Sequence, residues 1–209
     1  GNFLVAVDDF SNGDSAGAVQ RIRFMLKEDP SFAGAHHFML SILDILKENE
    51  LYEKTLFDAL KVLPDNPTLL SLRGKFHLNQ AEREKGIKYL EECLKKEPKN
   101  VIYWTDLGYA YFLVRNIQMA CLCLETALSI SQNHQILYSL LFFYSNYSTS
   151  MSAEQIFEHY KLYDQRFGLP LKHKWKAFAQ PKVPKNKLKI GYVSPDFNQH
   201  SMQNFLMPT

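Results

Sequence analysis

Side chains able to do chemistry are few and scattered in this chain. Three cysteines, Cys93, Cys121 and Cys123, all fall within helical pattern. Cys121 and Cys123 are separated by one residue, so on a helix they face different ways. That spacing makes neither a zinc site nor a disulfide framework. No metal site is expected, and reduced thiols in a cytoplasmic protein are the simple reading. The adjacent His36 and His37 and the other helical histidines read as structural or surface residues. A Gly-rich phosphate loop is absent from the sequence. One stretch stands apart from the rest, Leu188-Lys-Ile-Gly-Tyr-Val-Ser-Pro-Asp-Phe-Asn-Gln-His200. Leu188, Ile190, Tyr192 and Val193 form a short β-rich run that Ser194-Pro195-Asp196 stops. A helix can open at Ser201, and strand, turn and helix in that order begin an α/β sheet.

The elements that position everything before this stretch are marked by turns. Asp29-Pro30, Leu63-Pro64 and Glu97-Pro98 place their prolines at one constant interval, and one more step lands on Gln132. A fixed interval of about 34 residues is the mark of stacked helical hairpins. The expected helices are the end of one over 3–10, then 16–27, 34–47, 51–62, 67–79, 82–95, 101–114, 117–131, 135–146 and 153–167. Asp14 or Ser15 and Ser152 are suited to cap helices, and Pro67 suits a first helical position. Gly168 reads as a C-cap. The expected organisation is a helical solenoid over 1–167, a basic Pro-containing linker over 168–187, and a first strand and turn over 188–209.

Charge divides along the same lines. The net charge is +2, yet residues 170–189 hold seven lysines and no acid, so a cationic tether follows a mildly acidic body. No apolar run is long enough to cross a membrane, and no N-terminal signal pattern appears. Neither a membrane nor nucleic acid is an expected partner. The chain starts at Gly1-Asn2-Phe3 in mid-pattern without an initiator Met, which reads as a piece of a longer protein.

The fourth hairpin carries Trp104, Leu107-Gly108, Tyr111, Ala120, Leu124 and Ala127, and so resembles a tetratricopeptide repeat. The third carries Leu70, Gly74, Gly86, Leu90, Cys93 and Pro98. The second is weaker, with Leu40 and Tyr52 at its small-residue positions. The first keeps only Ala18, Ile22, Met25 and Pro30. The resemblance implies an all-α tetratricopeptide solenoid of four to five units whose first (A) helices line a concave, peptide-binding side. Carried over, the groove positions are Thr68, Ser71, Leu72, Lys75 and Leu78; then Ile102, Thr105, Asp106, Tyr109 and Phe112; then Ile136, Ser139, Leu140 and Phe143. Protein or peptide ligands are the expected partners, over a mixed apolar and aromatic surface.

The segment Lys187–His200, with the helix Gln155–Gly168 before it, resembles the opening of the catalytic region of O-GlcNAc transferase and SPINDLY-like glycosyltransferases. That resemblance implies a parent enzyme that transfers a sugar from a UDP-sugar, such as UDP-N-acetylglucosamine, to Ser or Thr of acceptor proteins. In that family the His matching His200 lies beside the sugar-nucleotide pocket, and imidazole titrates in the range a general base needs. The backbone-gripping Asn ladder of the animal enzymes is replaced here by Phe38, Leu72, Asp106 and Leu140. The nucleotide-binding half is missing, so no cofactor and no catalysis are expected of the fragment itself. A non-enzymatic scaffold is the competing reading. Residues 188–209, without their sheet, are expected to be mobile or to self-associate through an exposed strand edge.

Overall fold

A computed structural model of the chain describes residues 2–176. The expectations for 188–209, including the strand, its edge pairing and His200, lie outside the described residues. Among the described residues the structure is helical and contains no strand. Helix α1 (Asn2–Ser11) pairs with α2 (Ser15–Glu28), and α3 (Ala33–Ile45) with α4 (Asn49–Val62). Then α5 (Pro67–Asn79) pairs with α6 (Arg83–Lys96), α7 (Val101–Leu113) with α8 (Ile117–Ile130), and α9 (Gln135–Ser145) with α10 (Ala153–Tyr163). The A helices α3, α5, α7 and α9 begin at Ala33, Pro67, Val101 and Gln135, in equal steps that match the spacing of the turn prolines. This is a tetratricopeptide-type solenoid. Residues up to Lys172 form one compact unit, and a second begins at His173.

The constant step reaches down to single atoms. Asn66 accepts a hydrogen bond from the Leu69 amide, and Asn100, one repeat on, accepts from the Ile102 and Tyr103 amides. Both satisfy donors that the first turn of a helix leaves open. Asp14, Asn116 and Ser152 cap B helices in the same way. The Trp104 indole donates to the Pro98 carbonyl at 2.8 Å. His36, also six residues past its turn proline, makes the equivalent 2.8 Å contact from Nε2 to the Pro30 carbonyl. His36 is therefore a buried strut.

The turn from A helix to B helix needs a left-handed residue. Gly13 (φ 89°), Lys47 (φ 61°), Ala81 (φ 62°) and Arg115 (φ 60°) supply it, one in each successive repeat. Behind each of the last three, the amides of Glu48, Glu82 and Asn116 reach back to Leu43, His77 and Tyr111 at 2.9–3.0 Å. This closes the A helix in the manner of a Schellman motif.

Close helix crossings use the small residues. A Cβ added to Gly86 would lie 2.6 Å from Leu78 Cδ2 and 2.9 Å from the Gly74 carbonyl. At Gly108 it would meet the Ala120 carbonyl at 3.2 Å. The core is sectional, as a solenoid requires. One cluster joins the first two hairpins around Ile22 and Leu43, a second runs from Leu40 to Cys123, and a third surrounds Leu124 and Leu137.

The end of the solenoid departs from expectation. The helix from Ala153 is α-helical only to Tyr163, then widens into a π turn over Asp164–Gly168 and tightens into a 3₁₀ segment over Leu169–Lys174. Gly168 is not a left-handed cap, since Gly13 alone among the described glycines has positive φ. Pro170 has no N–H to give and its ring crowds the carbonyl four residues back. The Leu169 amide bonds instead to the Asp164 carbonyl five residues back.

Candidate peptide-binding groove

The A-helix positions form ladders because the repeat is constant. Thr68, Ile102 and Ile136 occupy one rung position; Ser71, Thr105 and Ser139 a second; Leu72, Asp106 and Leu140 a third; Lys75, Tyr109 and Phe143 a fourth. The helices that carry them fold locally through Asn caps at Asn66 and Asn100 and the left-handed turns at Ala81 and Arg115.

Exposure divides the ladders. Ile102 (62%), Tyr109 (48%), Ile136 (65%) and Phe143 (50%) leave large apolar surface open. Ser139 is exposed, with its hydroxyl donating to the Gln135 carbonyl at 3.3 Å. Thr105 donates to the Val101 carbonyl at 2.8 Å. Thr68 is half-buried beside the Tyr103 hydroxyl. Ser71 and Leu78 are buried, and Leu72 packs on the core. Ser71 and Leu78 offer almost no surface to a ligand, whereas Leu72 keeps part of its surface exposed.

At the centre, Lys75 Nζ lies 2.8 Å from Asp106 Oδ2, and Ser71 Oγ lies 3.5 Å from the same oxygen. Burial raises the Asp106 carboxyl above its ordinary pKa, against the opposing pull of Lys75 and Ser71. The pair bridges consecutive repeats and places one cation and one anion among apolar neighbours.

The far end of the face is aromatic. Phe112 stacks on Tyr144 at 4.3 Å and meets Phe143 at 5.6 Å and Tyr147 at 5.5 Å, while Phe143 and Tyr147 are 5.2 Å apart. Offset and edge-on ring contacts of this kind hold a rigid platform. Tyr147 belongs to it and lies in the A–B loop of the fifth hairpin, one step past the ladder register. The signal that would have found it is its place in the polar insertion.

No group of residues able to hold a metal ion occurs among the described residues. The three cysteines are free and buried. Burial pushes the Cys93 and Cys123 thiols up to about 12 and Cys121 up to about 11. Such thiols are inert as nucleophiles or metal ligands near neutral pH. No helix among the described residues is long and apolar enough to cross a membrane.

No family model matches the chain. Two curated proteins are similar to it: tetratricopeptide repeat protein 21B of Homo sapiens is 25% identical over 149 residues, and that of Mus musculus 27% over 150. Each alignment takes in 71% of this chain and 11% of the relative, so the chain spans about a tenth of those proteins. Among solved structures, PilW, a type IV pilus biogenesis factor, superposes with a TM-score of 0.67 at 18% identity, covering 79% of this chain and 76% of PilW. MamA superposes at 0.66 with 14% identity, covering 86% of this chain and 96% of MamA. A chain of the APC/C hetero-tetramer Cut9–Hcn1 superposes at 0.65 with 15% identity, covering 79% of this chain and 33% of that one. These likenesses establish the helical-repeat fold.

Proposed function

We propose that this chain is a protein-binding scaffold that holds an extended peptide along the A-helix face of α5, α7 and α9. The observation that carries the reading is the row of exposed apolar side chains, Ile102, Tyr109, Ile136 and Phe143, on the helices that line the concave side in this fold. Apolar surface gathered in a concavity and flanked by a few polar groups suits ligand capture. The Lys75–Asp106 pair offers a hydrogen-bonding point at the middle of the groove. A reducing compartment such as the cytoplasm fits three free cysteines.

The test is site-specific photo-crosslinking in cells. Benzoylphenylalanine in place of Tyr109 should trap partner proteins that the same probe at the B-helix residue Leu122 does not. Identical adducts from both positions, or none from Tyr109, would remove the groove from the account.

A finer reading rests on the motif Lys187–His200. In it the groove presents acceptor proteins to a UDP-sugar-dependent protein O-glycosyltransferase, with UDP-N-acetylglucosamine as donor and His200 near the sugar nucleotide. The comparisons favour the plain scaffold. The parent reading frame decides between them. A second α/β domain and labelling of lysate proteins by radioactive UDP-sugar support the enzyme, and a protein inert in that assay does not.

A further inference from the structure

A second surface lies along the A–B turns and adjoins the aromatic end of the groove. Arg83 at the start of α6, Arg115 in the α7–α8 turn and the loop residues Tyr147–Ser150 line one cleft of roughly 830 Å³. It spans three successive repeats. The loop is where the repeat breaks its own rule: seven residues, 146–152, join α9 to α10, while three, 114–116, join α7 to α8. The insertion adds Ser148, Thr149 and Ser150 as a hydroxyl-rich wall, ordered by the Ser148 Oγ, which accepts from the Met151 amide at 3.1 Å. Phe112 and Tyr147 supply an aromatic side to the same cleft.

The charge there is one-sided. Among the described residues no carboxylate lines the cleft. Arg83 and Arg115 are exposed, and neither makes an ion pair or side-chain hydrogen bond among the described residues. Of the two carboxylates beside Arg83 in sequence, Glu82 is engaged by His77 and Lys85, and neither it nor the exposed Glu84 is among the residues that line the cleft. Two guanidinium groups without partners beside an aromatic wall suit a ligand with carboxylates next to an apolar side chain, because the planar guanidinium binds a carboxylate through two parallel hydrogen bonds. A cleft of this size accepts a few side chains of such a segment.

We propose that this cleft binds an acidic peptide segment, with carboxylates on Arg83 and Arg115 and an adjacent apolar side chain on Phe112 and Tyr147. The cleft shares Phe112 and Tyr147 with the aromatic end of the groove, while Arg83 and Arg115 lie outside the ladder positions. The experiment selects random twelve-residue peptides from a phage library on the full chain, then measures the selected synthetic peptides by fluorescence anisotropy. Acidic residues beside an aromatic or aliphatic one are expected to be enriched in one class of binders. For that class, the double variant R83Q/R115G should lower affinity at least tenfold, and raising salt from 100 to 500 mM should weaken wild-type binding several-fold. R115G also relieves a left-handed backbone, so this loss should accompany an equal or higher melting temperature. The groove variant Y109A should leave these peptides bound. A library without acidic enrichment, or acidic peptides that bind R83Q/R115G as well as wild type, would overturn the proposal. Phosphoserine versions that bind more tightly than the glutamate originals would replace the carboxylate with phosphate as the recognised group and overturn it in that form.

Discussion

Asp106 is held between burial, which favours its neutral form, and Lys75, which favours the charged one; burial wins. Its native pKa is raised, so the native state binds a proton more readily than the unfolded chain. The carboxyl is therefore most compatible with folding below its ordinary value of 3.8, and the cost appears as pH rises through the native value. Asp106→Asn should raise the melting temperature at pH 7, and the gain should shrink towards pH 3. An equal gain at both values would show that ionisation of Asp106 is not what matters. Ala81 gives a second test at this scale. It stands in a left-handed turn where Gly13 stands one pair of repeats earlier. Ala81→Gly should stabilise the chain by about 1 kcal/mol, from relief of left-handed strain less the entropy of glycine. That corresponds to roughly 2–4 °C by thermal melting at this size. The cysteines should react with a thiol reagent only on unfolding, since burial holds all three well above neutral pH.

At the scale of helices, most boundaries were legible because prolines and Asn caps recur with the repeat. Pro67 and Asn79 bound α5 as expected, and the other described helices up to α9 shift by a residue or two at their ends. The left-handed positions at Lys47, Ala81 and Arg115 were not legible one by one, because nothing in a Lys, Ala or Arg announces positive φ. Gly13, at the equivalent position one repeat before Lys47, was the available signal. The π turn at Asp164–Gly168 was missed because Gly168 imitates a helix stop, while the constraint comes from Pro170 beyond it. The burial of Ser71 was equally hidden: it depends on the approach of Asp106 from the next repeat. The small-residue crossings were legible. Gly86→Ala should cost about 1–3 kcal/mol by overpacking, since its Cβ would press on Leu78 and on the Gly74 backbone. Urea denaturation showing no loss of stability would mean that α5 and α6 are free to separate.

At the scale of the molecule, three successive core clusters replace a single centre among the described residues. Each hairpin buries its apolar side against the next, which leaves Ile102, Tyr109, Ile136 and Phe143 exposed on the A helices. The repeat period made this architecture readable from the turn prolines. The exposed rungs Ile102, Tyr109, Ile136 and Phe143 were among the positions expected to line the groove, whereas the arginine cleft depends on a loop insertion that breaks the period. The most direct test of the groove is amide hydrogen exchange on the full chain, with and without a selected peptide whose binding Y109A abolishes. Slowed exchange in α5, α7 and α9, recurring with the period of the repeat, is the result this account predicts. Slowing confined to α4, α6 and α8 would place the ligand on the opposite face and contradict it.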